Sequence, residues 1–218
     1  MDDCYNYGTD HMTSTLSDKI MKRIRGRGRG KWVCTPKDFL DLGSRPAVDQ
    51  ALSRLVKRGH LRRVGRGLYH LPRMSRILKR YGPPSLDQAV DAIARRDGVR
   101  VITTGLDAAN RLGLTNAVQV SPMYLTDGAS RVVKVGNRTI EFKHAGIRLM
   151  QWHGRHGCLV VNALLWLGRR IVMNPENKIV VYLRGQLPDY VKQDLMDGIA
   201  LLPSWAVPVI KQLQADTA

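Results

Sequence analysis

The chain has 218 residues, 44% of them hydrophobic, and a formal charge of +17. That length suffices for one large core or two small ones, and the charge calls for an anionic partner without dictating a fold. Its three cysteines, Cys4, Cys34 and Cys158, share no CxxC spacing, which argues against a zinc site or a disulfide framework and for reduced thiols in a cytoplasm.

Residues 1–12 are read as a disordered or vector-derived extension, with Met12 a candidate native start and no apolar segment of a signal peptide. Ser17 opens a helix with Ile20, Met21 and Ile24 on one side. The run Arg25-Gly26-Arg27-Gly28-Arg29-Gly30 stops it, because alternating glycines are poor helix formers. Lys31–Cys34 is a short β-like segment. Thr35-Pro36 starts a short helix, Lys37–Leu42, with Thr as N-cap and Pro at the first position; Gly43 ends it. Ser44 caps a third helix, Ala47–Arg58, whose apolar face is Ala47, Val48, Ala51, Leu52, Leu55 and Val56. Gly59 terminates that helix. Leu61–Val64 and Leu68–Leu71 then form a hairpin around Gly65-Arg66-Gly67, with Pro72 at its exit.

The basic, proline-ending segment Arg73–Pro84 is expected to link a domain at 13–73 to one at 84–218. Ser85 caps a helix to about Arg96, Val99–Thr103 is a strand, and Leu106–Leu112 is a short helix. Strands follow at Val118–Leu125, Arg131–Val135 and Thr139–His144, the last two joined by a Gly136-Asn137 turn. Cys158–Leu167 is a buried helix, about half the length of a membrane span, so no membrane partner is expected. Ile179–Leu183 is read as a strand, and helices at Asp189–Ala200 and Trp205–Leu213 close the chain. The fold class is α+β: an N-terminal winged helix-turn-helix followed by a mixed α/β C-terminal domain.

The DNA-binding reading comes from what such a head requires. A sharp turn, here Leu42-Gly43-Ser44, lets the third helix protrude into a major groove. Ser44, Arg45, Asp49, Gln50, Ser53 and Arg54 then form its polar face near the N-terminus. Arg45 suits a bidentate pair with guanine and Gln50 one with adenine, whereas Lys57 and Arg58, near the C-terminal end, suit phosphates. Arg62, Arg63 and Arg66 crowd the hairpin, with Arg66 at a tip that suits a minor groove. Arg25, Arg27, Arg29 and Lys31 have two readings, a strand-like insert in an AT-rich minor groove or a basic loop on phosphates. Residues 12–81 hold 19 Lys/Arg against 4 Asp/Glu, which places nearly all the excess charge on this head. The alternative, a merely solubilising charge, gives no reason for that concentration.

Ala47 to Gly59, followed by Leu61-Arg62-Arg63-Val64-Gly65-Arg66-Gly67-Leu68-Tyr69, resembles the N-terminal domain of AbiE-type antitoxins of type IV toxin–antitoxin (abortive infection) operons. The resemblance implies a repressor that binds inverted repeats of double-stranded DNA in its own promoter. It also implies a C-terminal domain that counteracts a nucleotidyltransferase toxin, without necessarily binding it.

Two other classes remain open. Asp127 with Glu141-Phe142-Lys143 fits the loose Asp…Glu-x-Lys pattern of metal-dependent nucleases, in which two carboxylates hold Mg²⁺ and the lysine assists water. The competing reading is an ion pair on a hairpin, with Asp127 in a turn. His144, His153 and His156 lack an acidic neighbour and are read as surface residues. No catalytic residue, metal ligand or cofactor is therefore assigned. An RNA-binding regulator is the third class, because Arg-Gly runs also bind RNA.

Overall fold

The computed structural model describes residues 15–74, 79, 81–174 and 178–214; the extension read at 1–12, with Cys4, lies outside them. The chain is a mixed α+β protein with two separate sheets and divides into compact units at 1–96 and 97–218.

In the first unit, α1 (Leu16–Gly26) starts one residue earlier than Ser17 suggested. Thr15 is the cap, and Asp18 completes a capping box by returning a carboxylate to the Thr15 backbone. Strand β1 (Val33–Cys34) follows. The expected helix at 37–42 is a single 3₁₀ turn, Pro36–Phe39, in which Asp38 accepts from the Thr35 amide. Phe39 is fully buried and fixes that turn to the core, which leaves too few residues before Gly43 for a regular helix. Helix α2 (Arg45–Lys57) buries Val48, Ala51, Leu52 and Leu55 against Ile20, Ile24 and Phe39. Strands β2 (Arg62–Gly65) and β3 (Leu68–His70) form the hairpin, and β3 is the centre of an antiparallel sheet ordered β1-β3-β2.

Helix α3 (Leu86–Asp97) stands with this first unit, so the division falls after Arg96 rather than at 84. Two arginines explain why. Arg95 donates to the Val33 carbonyl and pairs with Asp38, and Arg96 donates to the Arg66 carbonyl at the hairpin tip.

The second unit contains β4 (Val101–Thr103), α4 (Gly105–Arg111), β5 (Met123–Thr126), β6 (Arg131–Val135) and β7 (Arg138–His144). The sheet order is β4-β5-β7-β6, with β5 parallel to β7 and the other pairs antiparallel. The expected strand at 118–125 is shortened at its start: Val118 and Val120 are exposed, Val120 wholly so, and pairing begins only after Pro122. Short α5 (Ile147–Met150) leads to α6 (Cys158–Leu167), α7 (Arg169–Val172), α8 (Ile179–Gln186), α9 (Asp189–Asp197) and α10 (Ala206–Gln214). These helices bury Trp152, Val161, Leu164, Leu183, Leu195 and Ile210 together. Asp194 of α9 pairs with Arg155 and accepts from the Gly157 amide, placing a carboxylate at the positive N-terminal end of α6.

The strand read at 179–183 is thus a helix. Its β-branched residues favour a strand by only a few tenths of a kcal/mol each. Helical geometry instead buries Leu183, and with it parts of Ile179 and Val180, against Val209 and Leu213, an effect of about 2 kcal/mol for a fully buried leucine. No helix among the described residues is long and apolar enough to cross a membrane. Cys34 and Cys158 are free thiols, and burial pushes both up, Cys158 to about 11, so neither is a ready thiolate.

At the start of α4 a close approach demands glycine. A Cβ on Gly105 would lie 2.2 Å from Cβ of Trp166 and 2.7 Å from the Asn162 carbonyl oxygen. Gly105→Ala is therefore expected to destabilise the chain by about 1–3 kcal/mol, read as a lowered urea midpoint. An unchanged midpoint would show that α4 and α6 separate freely.

Candidate nucleic-acid interface

The positions singled out on α2 share one outward side. Gln50, Ser53, Arg54 and Lys57 are all exposed, at spacings that recur on one face of a helix, and Ser44 and Arg45 are exposed at its N-terminal end. Ser44 occupies the cap position, but its hydroxyl makes no capping bond. Nε of Arg45 donates to Asp49 at 2.8 Å, one turn along the helix. The carboxylate thus holds the guanidinium by its Nε edge, and the terminal amino groups are what remain to donate to a base.

The end of α2 is presented by a clamp. Arg23 of α1 grips Asp41 with two bonds, of 2.7 and 2.6 Å, and donates to the Asp38 carbonyl at 2.8 Å. That pairing raises the pKa of Arg23 and lowers that of Asp41. It ties the turn between the 3₁₀ segment and α2 to the first helix, so α2 projects from a fixed base. The side chains stay partly exposed, so the pair fixes geometry more than it adds stability.

The remaining predicted residues separate into two groups. Arg66 stands exposed at the hairpin tip, beside Gly67 at φ +65°, a left-handed conformation suited to glycine. Its carbonyl accepts from Arg96 at 2.6 Å, so the tip is anchored. Arg25, Arg29, Arg62 and Arg63 instead gather around a cleft of about 660 Å³, at the C-terminal ends of α1 and α2. Arg63 also reaches the other way: its Nε donates to the Gly65 carbonyl, and its charge acts on Tyr69 together with those of Arg45 and Asp49.

The Arg-Gly run is folded rather than extended. Arg25 is in the last turn of α1, Gly28 donates to the Arg25 carbonyl, Gly30 donates to the Leu71 carbonyl, and Lys31 donates to the Gly28 carbonyl. Arg27 lies over the Trp32 ring at 5.5 Å. A chain laid flat along a minor groove cannot keep these turns, so the inserted-strand reading does not match this backbone. Arg25, Arg27, Arg29 and Lys31 are nonetheless exposed.

The nuclease pattern is not assembled. Register pairs Met123 with Glu141 and Thr126 with His144, so Asp127 lies four positions along the sheet from Glu141. At about 3.3 Å per residue that is roughly 13 Å, too far for two carboxylates on one ion. Asp127 is also held by Arg100, which donates from its amide and its Nε, and the contact lowers the carboxyl's pKa. Glu141 pairs with Lys143 at 3.7 Å. His156 packs edge-on against Tyr190, and His153 is exposed. Among the described residues no three His, Cys, Asp or Glu side chains group as a metal site would.

The profile of a "Family of unknown function (DUF6088)" matches residues 19–189. The chain belongs to this family. No curated protein matches it. The DUF6088 match takes in the α2 face, the cleft and the whole second sheet. Sequence reading missed Arg23, Arg95, Arg96 and Tyr81. No local signal marks them, because Arg95 and Arg96 reach partners 57, 62 and 30 residues away.

His70 of β3 lies beneath this surface, 1% exposed, with Nε2 unpartnered among the described residues. Burial, aided by the Arg62 charge, lowers its pKa below the usual 6.5, against an opposing hydrogen bond to the Gly30 backbone. A histidine depressed in the folded state favours folding above its unfolded value, and that contribution is lost as pH falls through the folded value. The urea midpoint should therefore decline as pH drops below about 6.5. His70→Gln should flatten that slope; an equally steep decline in the variant would assign it to other groups.

Proposed function

We propose that the N-terminal unit is a winged helix-turn-helix that reads double-stranded DNA with the exposed face of α2, and that the chain is a transcriptional repressor. The observation carrying this reading is the face itself: Ser44, Arg45, Gln50, Ser53, Arg54 and Lys57 exposed together on a helix clamped at its N-terminal end. The order helix, 3₁₀ turn, helix and anchored hairpin supports it, with α2 in the groove and Arg66 touching the adjacent strand or minor groove. Arg45 and Gln50 carry base selection, and Lys57 carries phosphate contact. Two copies on inverted repeats are the expected assembly.

The resemblance of residues 47–69 to AbiE-type antitoxins extends the proposal: the DNA is the chain's own promoter, and the second unit counteracts a nucleotidyltransferase toxin. Co-expression with a nucleotidyltransferase encoded next to the gene tests that extension, with rescue of growth as the supporting result.

Binding to promoter DNA tests the core of the proposal. Arg45→Ala and Gln50→Ala should each cost about 1–3 kcal/mol on promoter DNA and far less on unrelated duplex. Lys57→Ala should weaken both equally and reduce the salt slope by about one. Equal losses on the two DNAs for all three variants would remove base reading from α2. Displacement by unrelated RNA at equal concentration would remove duplex DNA as the partner.

A further inference from the structure

The cleft at the other end of α2 is a second feature with its own chemistry. Arg25 and Arg29 approach it from the end of α1, and Arg62 and Arg63 from the start of β2. Among the described residues no carboxylate lines it. Its apolar surface comes from residues such as Met21, Val56 and Leu71. Tyr81, held by a bridge to Met74, forms one wall, and the Arg62 guanidinium lies over the Tyr81 ring at 5.0 Å.

We propose that this cleft binds a nucleoside diphosphate. Arg63 turns its Nε to the Gly65 carbonyl, which leaves the guanidinium groups of Arg25, Arg29 and Arg62. Three of them, with no carboxylate among the described lining residues, suit a ligand of more than one negative charge, and their planar forks match phosphate oxygens. The volume, about 660 Å³, falls within the range of small-molecule sites. The apolar lining and the Arg62–Tyr81 stack decide what else the ligand carries. A planar base slides against a tyrosine ring or a guanidinium plane, and its ribose covers the apolar surface. A DNA duplex gains nothing from an apolar floor, because it offers phosphates on a convex rail. Val56 of the cleft wall and Arg45 lie near opposite ends of α2, about 16 Å apart along its axis. The ligand and a base pair therefore need not compete for the same side chains, and the inference does not depend on what α2 reads.

Titration calorimetry on the full chain tests the assignment with three probes: ADP, pyrophosphate and adenosine. ADP should bind more tightly than either of the others. Arg25→Gln and Arg62→Gln, both at exposed positions and checked for an unchanged circular dichroism spectrum, should each weaken ADP at least about ten-fold. Tyr81→Ala should weaken ADP while leaving pyrophosphate unchanged, and Arg45→Ala should alter neither. ADP no tighter than pyrophosphate would overturn the nucleoside half of the proposal. Cleft variants that keep ADP affinity but lose affinity for duplex DNA would overturn it entirely, assigning the cleft arginines to the DNA backbone.

Discussion

Repulsion between like charges is the constraint on which the first unit is built. Residues 12–81 hold 19 cations and 4 carboxylates, and every one of those carboxylates serves as a fastener. Asp18 closes the box at the start of α1, Asp38 takes the Thr35 amide and Arg95, Asp41 is gripped by Arg23, and Asp49 steadies Arg45. The excess positive charge opposes compaction, so the fold rests on its apolar centre, with Ile20, Ile24, Phe39 and Leu52 almost wholly buried. A surface this unbalanced has its natural complement outside the chain.

Much of this was legible because it is local. The period of apolar residues across α2 and the Gly-Arg-Gly tip of the hairpin are short-range signals, and the elements follow them closely. What escaped the sequence is of three kinds. Beyond the Phe39 anchor the chain turns to reach α2 instead of winding on as a helix. At Ile179–Leu183 a β-branched run became a helix, because packing against α10 outweighs a weak local preference. The Arg95 and Arg96 contacts join residues far apart in the chain, and no pattern of neighbours announces such a contact.

The candidate site was legible in composition but not in arrangement. The sequence supplied the cations and treated them as one footprint. The fold sorts them: those on α2 face outward together, while Arg25, Arg29 and Arg62 line a hollow at the far end of the helix. The Asp127 and Glu141 pairing failed for a related reason. A motif spacing fixes distance along the chain, but the parallel register of β5 with β7 fixes distance in space.

The bond from Arg96 to the Arg66 carbonyl bears on where the chain can be cut. A fragment ending near residue 84, the boundary that composition suggests, would discard all of α3. The hairpin tip would lose its tether, Trp32 would keep Arg27 but lose Arg95 from its ring, and Asp38 would lose its cationic partner. The smallest piece that keeps these fastenings therefore runs through α3, in line with the compact unit that closes at Arg96.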